Sequence, residues 1–174
     1  MMAHRKVSRA AAEPARAFEP ARLVAAIAAA WAASADAKGV ALEWGVSDDV
    51  PEVAVAQFDA VRAVLSALVR VALRATTRGA IVVVARGSED GGVTFEVADT
   101  GAGTARPVQC ESRDARRALL GHPDGELGTA VDAVLALGGR FAIESIPYRG
   151  TRCSVAVGAS PRGSGTMLAA PRIG

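Results

Sequence analysis

The sequence predicts an α/β protein of the α+β kind, a two-layer sandwich in which a mixed sheet is covered by about three helices. Three observations carry that prediction. Three segments place their apolar residues on a single helical stripe, the segments between and after them are β-branched or alternate apolar with polar, and glycine or proline punctuates the joins. At 174 residues, with 51% hydrophobic and 22% charged side chains, the chain is long enough to bury one core and lacks the composition of a disordered protein.

Residues 1–15 are basic and alanine-rich without a period, which predicts a flexible arm. Leu23, Ile27 and Trp31 then recur at four-residue steps up to Asp36 and Lys38, a helix stopped by Gly39. Val40 to Val46 is a strand, and Ser47, Asp48, Asp49, Val50 and Pro51 form a loop. From Asp59 to about Thr76, Val61, Val64, Leu65, Leu68 and Ala72 share one face of a helix, and Arg62, Ser66, Arg70 and Arg74 share another. Asp59 is the expected cap and Gly79 the expected stop. Ala80 to Arg86 and the alternating Val93, Phe95 and Val97 make a strand pair across a turn from Gly87 to Gly92.

Residues 104–123 have no clear period and are expected to form a loop or lid, with a short helix around Arg113 to Leu120. Leu127, Val131, Val134 and Leu135 mark a third helix that ends at Gly138 and Gly139. Arg140 to Glu144 and Thr151 to Val157 are a last strand pair, joined by a loop from Ser145 to Gly150. Residues 159–174 are expected to be a flexible tail, which leaves 16–158 as the folded domain.

A net charge of +2 with arginines spread along the chain argues against a nucleic-acid partner. Two cysteines, Cys110 and Cys153, and two histidines, His4 and His122, support neither a disulfide framework nor a zinc site. The most apolar stretch, Leu23 to Ala35, is too short for a bilayer and lies between Arg22 and Asp36. The N-terminus lacks the continuous apolar run of a secretion signal, so no membrane association and a cytoplasmic location are expected.

Several short strings carry chemistry. In Val97-Ala98-Asp99-Thr100-Gly101-Ala102-Gly103 a carboxylate at a strand end, able to accept hydrogen bonds, stands beside glycines that let the backbone turn tightly. Asp124-Gly125-Glu126-Leu127-Gly128-Thr129-Ala130-Val131 opens a helix. The others are Ala17-Phe18-Glu19-Pro20-Ala21-Arg22-Leu23, Val50-Pro51, Val64-Leu65-Ser66-Ala67-Leu68-Val69-Arg70-Val71-Ala72-Leu73-Arg74-Ala75-Thr76, and the pieces Gly138-Gly139-Arg140, Glu144-Ser145 and Gly150-Thr151. In this order, from Phe18 to Val157, they resemble the ATP-binding catalytic domain of sensor histidine kinases. That domain is a branch of the GHKL family, which includes gyrase, a heat-shock chaperone and mismatch-repair ATPases. The resemblance implies the Bergerat-type ATP-binding fold. It also implies that Asp99 receives the adenine amino group, Gly101 and Gly103 shape the first glycine box, Gly128 belongs to the second, Thr151 lies near adenine, and Arg74 holds the basic position of the asparagine box. ATP or ADP is the cofactor it implies.

The sequence departs from that pattern where the phosphates and metal would sit. Relatives use an asparagine to hold magnesium and a polar or acidic residue one turn earlier, and here those positions are Val71 and Ala67. Magnesium wants oxygen ligands, so none is expected here. Asp124 and Glu126 stand where relatives have glycines, and carboxylates at a helix N-terminus repel phosphate unless they turn away. Arg70 and Arg74 either compensate for them or line a solvated helix face. Arg113, Arg116 and Arg117 lie in the lid, which lacks the phenylalanine-centred motif of active kinases. No dimerising hairpin precedes the domain in this sequence, and His4 is not expected to accept phosphate.

The expected function is a degenerate nucleotide-binding domain acting as a regulatory or docking module on a histidine kinase or a response regulator, with weak or lost catalysis and no catalytic residue assigned. Two alternatives stand beside it. One is an active ATP-dependent protein kinase, of the histidine or anti-sigma-factor serine type, and the other is a nucleotide-free protein-binding scaffold. Asp99-Thr100-Gly101-Ala102 also resembles the active-site string of retroviral-type aspartic proteases, but those are all-β and the long helices here argue against it.

Overall fold

The structure is a computed structural model, and it describes residues 14–112, 114–115 and 125–158. The elements run β1 (Arg16–Phe18), α1 (Pro20–Lys38), β2 (Val40–Val46), β3 (Ala54–Ala56), α2 (Phe58–Ala75), β4 (Gly79–Gly87), β5 (Val93–Asp99), β6 (Val108–Glu111), α3 (Gly125–Ala136), β7 (Arg140–Ile146) and β8 (Gly150–Val157). Strands β2-β4-β5-β8-β7-β6 form a six-stranded mixed sheet in that order, and β1 and β3 form a separate antiparallel pair. Only β2 and β4 run parallel in the large sheet, as expected for strands joined through the long α2 segment.

Pro20 occupies the first turn of α1, where a missing N–H costs nothing. Gly39 ends the helix in the left-handed conformation, with its N–H on the carbonyls of Ala35 and Asp36. At the end of α3 the N–H groups of Gly138 and Gly139 reach back to Leu135 and Val134, the double bond pattern of a Schellman stop. The stop expected for α2 differs. Gly79 is the first residue of β4, and Thr76, in extended conformation, closes the helix. Lys38 of α1 donates to the Leu73 carbonyl there and so satisfies one of the open acceptors at that end. Asp59 is likewise not the cap: Gln57 precedes the helix, and Asp59 sits in its first turn and pairs with Arg16 and Arg62.

Alternation along the central strands turns Ile81, Val83, Ala85, Val93, Phe95, Val97, Val155 and Val157 onto the helix-covered face, where all are nearly or fully buried. Val61, Leu65, Leu68 and Val69 of α2 meet them there, with Leu23, Val24 and Ile27 of α1 and Val131 and Val134 of α3. Each Val, Leu, Ile or Phe side chain there, once fully buried, contributes about 1.5–3 kcal/mol. Phe18 of β1 stacks on Phe95, with ring centroids 6.5 Å apart, and so ties the small sheet to the core.

Three short strands were not visible as periodic segments. β6 arises within the stretch expected as loop or lid, β3 lies between the loop that ends at Pro51 and the helix expected from Asp59, and β1 falls in the string that opens the resemblance. The closing hairpin is longer than expected, because β7 runs to Ile146 and β8 begins at Gly150, leaving a turn over 147–149. The arm before residue 14, the tail 159–174, Asp124, His4, His122 and the three lid arginines lie outside the described residues.

Candidate functional site

Asp99 ends β5, opposite Thr151 near the start of β8 and Ile81 of β4. Both ends open beneath the C-terminal half of α2. A cavity of about 40 Å³ lies there, walled by Leu68, Val71 and Ala75 of α2, Leu127 of α3 and Cys153 of β8, with Asp99, Gly103 and Thr151 at its polar end. That is room for about three water molecules.

The Asp99 carboxylate accepts the Gly101 N–H at 2.8 Å. Burial raises its pKa above the ordinary aspartate value, opposed by the backbone amides of Gly101 and Thr151. The turn after Asp99 is tied at several points: Thr100 N–H to the Ala80 carbonyl, Ala102 N–H to the Ala75 carbonyl, and Tyr148 N–H to the Ala102 carbonyl at 2.7 Å. At Gly103 the φ of 65° and the Ile146 carbonyl beside it leave no space for a side chain. Behind the turn, the buried Ser145 hydroxyl accepts the Thr104 N–H at 2.9 Å and lies 2.8 Å from the Thr151 hydroxyl. This hydroxyl pair fixes the threonine beside Asp99. Ser145 falls in the segment expected as a loop, but the alternation through Phe141 and Ile143 continues to it and turns it inward.

The candidate residues thus separate into groups. Asp99, Gly103 and Thr151 line the cavity, and Gly101 supports the Asp99 carboxylate from outside it. Gly128 is buried on α3, next to the lining residue Leu127, and is not itself among the residues that line the cavity. Arg74 is not among the residues that line the cavity; its Nη2 lies 2.8 Å from Oε2 of Glu126, and the Nε of Arg70 lies 2.9 Å from the same oxygen. Glu126 therefore turns toward α2 and engages both arginines. Those two guanidiniums, Arg74 first, hold its carboxyl below the usual glutamate range. The cysteines were given no role in the sequence reading, yet Cys153 lines the cavity. Burial, then the Asp99 charge, pushes its thiol pKa far upward.

Magnesium does not fit this donor set. Val71 lines the wall with hydrocarbon, Ala67 offers only a methyl group, and the Glu126 carboxylate is already held by two cations. Among the described residues, no cluster of three or more His, Cys, Asp or Glu side chains is arranged to hold a metal. Among the same residues, no helix is long and apolar enough to cross a membrane.

No protein-family model and no curated protein matches the sequence. Solved structures do. Full-length ShkA in complex with AMPPNP superposes with a TM-score of 0.67 at 25% identity, over 85% of this chain and 32% of that one. The Acinetobacter baumannii histidine kinase AdeS gives 0.65 at 17% identity, covering 83% of this chain and 67% of that one. The nucleotide-free catalytic domain of the histidine kinase ThkA gives 0.65 at 16% identity, covering 85% and 99%. This chain therefore spans about a third of the ShkA chain and nearly the whole of the ThkA domain. The fold is that of the histidine-kinase catalytic domain, a GHKL-type ATP-binding domain, with the six-stranded mixed sheet and three helices described above.

Proposed function

We propose that this chain is a degenerate histidine-kinase-type domain that recognises a purine through Asp99 and serves as a regulatory or docking module in two-component signalling, with phosphotransfer weak or lost. One contrast carries the reading. The purine end keeps an oriented carboxylate beside Thr151, and the positions that should grip a metal are Val71 and Ala67. Phosphoryl transfer rests on charge neutralisation and positioning, so removing the metal ligand removes a main source of rate. The partner in this reading is a histidine kinase or a response regulator, and the setting is the cytoplasm. Titration with a fluorescent ATP analogue, with and without magnesium, tests it. Saturable binding indifferent to the metal is expected, and metal-dependent binding with turnover of labelled ATP would show an active kinase.

A second reading, a nucleotide-free scaffold, is favoured by the apolar side chains of Leu68, Val71 and Leu127 that wall the cavity beside Asp99. It requires that adenosine and ATP both leave the melting temperature unchanged, since a ligand that binds the native state must raise it.

A further inference from the structure

The outward row of α2 brings Arg70 and Arg74, one helical turn apart, onto a single oxygen of Glu126 in the first turn of α3. Each partner is chain neighbour to a residue of the cavity wall: Arg70 to Val71, Arg74 to Ala75, and Glu126 to Leu127. The ion pair therefore bridges α2 and α3 at positions one residue removed from those that wall the cavity holding Asp99. Paired guanidiniums suit oxyanions, carboxylate and phosphate alike, because their N–H donors are fixed and their charge is permanent. Here the chain supplies the oxyanion itself.

We propose that Glu126 is a specificity-determining residue, an internal carboxylate that occupies the oxyanion site of Arg70 and Arg74, so that the cavity favours purine ligands of low charge and admits a polyphosphate only by displacing Glu126. The proposal rests on reading the Asp99 end as a purine site. A triphosphate reaching the two guanidiniums finds them already engaged with one carboxylate, which halves their net charge and itself repels the phosphates. Adenosine meets neither obstacle. All three side chains are roughly half exposed, so the ion pairs add little to stability, yet they decide which anion the arginines hold. Glu126 stays ionised at neutral pH, because both arginines favour its charged form.

The test uses the full chain as wild type, as Glu126→Gln, and as Glu126→Gln combined with Arg74→Ala; Glu126→Gly serves as a second variant if the amide disturbs folding. Each is titrated calorimetrically with adenosine, ATP and inorganic tripolyphosphate. Removing the carboxylate should raise the ratio of ATP to adenosine affinity about three- to thirtyfold, the equivalent of two exposed charge pairs. Tripolyphosphate should bind Glu126→Gln measurably more tightly than wild type, and adding Arg74→Ala should cancel the gain. Tripolyphosphate binding that is equal in wild type and Glu126→Gln, or absent from both, overturns the proposal. If adenosine binds neither protein, the purine reading of Asp99 fails instead, and the tripolyphosphate titration still decides the role of Glu126.

Discussion

Thr151 lies directly across the β5–β8 ladder from Asp99, and its backbone amide favours the charged carboxylate that burial disfavours. The Ser145 hydroxyl, 2.8 Å from the Thr151 hydroxyl, holds the threonine from behind. A carboxylate kept in place against its own desolvation is a cost to the fold, and recognition of a hydrogen-bond donor is a reason to bear it.

Asp99→Asn should separate stability from binding. Because burial raises the Asp99 pKa, the native state holds its proton more tightly than the unfolded chain, and Asp99 makes stability fall as pH rises from 3.8 through the folded-state value. The amide escapes that penalty, so the variant should melt at or above the wild-type temperature at neutral pH and lose this advantage below about pH 3.8. Its NH2 group faces the purine amino group with a donor, so adenosine should no longer shift the melting temperature. A pH series of thermal melts with and without adenosine measures both effects.

Gly150→Ala should be among the most damaging single changes near the site. Gly150 has a φ of 101°, and a Cβ there would strike the Asp99 carbonyl oxygen and sit 3.0 Å from the Thr100 Cα. Both obstacles are backbone, so neither yields cheaply. Denaturant unfolding should show a loss of about 3 kcal/mol, and the melting temperature should drop by roughly 10 °C.

The ion pairs of Glu126 should respond to acid in a defined direction. Arg74 and then Arg70 lower its pKa from 4.5, so its contribution to stability is fully present above 4.5 and is lost as pH falls through the depressed folded-state value. The difference in melting temperature between wild type and Glu126→Gln should be flat from pH 5 upward and shrink only in stronger acid. A difference that already changes between pH 6 and 7 would show that another group controls the contact.

The two thiols should react unequally. Cys153 is 4% exposed in the cavity wall and its thiol pKa is pushed far up by burial, whereas Cys110 is only partly buried on the edge strand β6, its pKa raised by burial and by Asp114. A disulfide reagent at neutral pH should titrate Cys110 slowly in the native protein and reach Cys153 only on unfolding. Equal rates for both would mean that the cavity wall opens readily.

Local signals carried much of this architecture. Gly39 and the Gly138-Gly139 pair announce their helix stops because only such residues end a helix in the left-handed conformation, and the stripe from Val61 to Ala72 announces the buried face of α2. The place of Asp99 at a strand end before a tight turn was legible because Gly101 and Gly103 follow it in one short string. β3 and β6, three and four residues long, are too short to establish a period of two and are defined by their partners β1 and β7. The meeting of Glu126 with Arg70 and Arg74 was out of reach for a different reason. The residues stand 56 and 52 positions apart, and only the packing of α2 on α3 turns a carboxylate read as phosphate-repelling into the partner of two arginines read as solvated or phosphate-seeking.

The most direct measurement is calorimetric titration of the purified chain with ADP and ATP, in magnesium and in chelator, beside Asp99→Asn. Saturable binding of the same strength in both buffers, abolished by Asp99→Asn and accompanied by no phosphate transfer, is the predicted result. Binding that tightens with magnesium, or a phosphate passed from ATP to a protein acceptor, would contradict it.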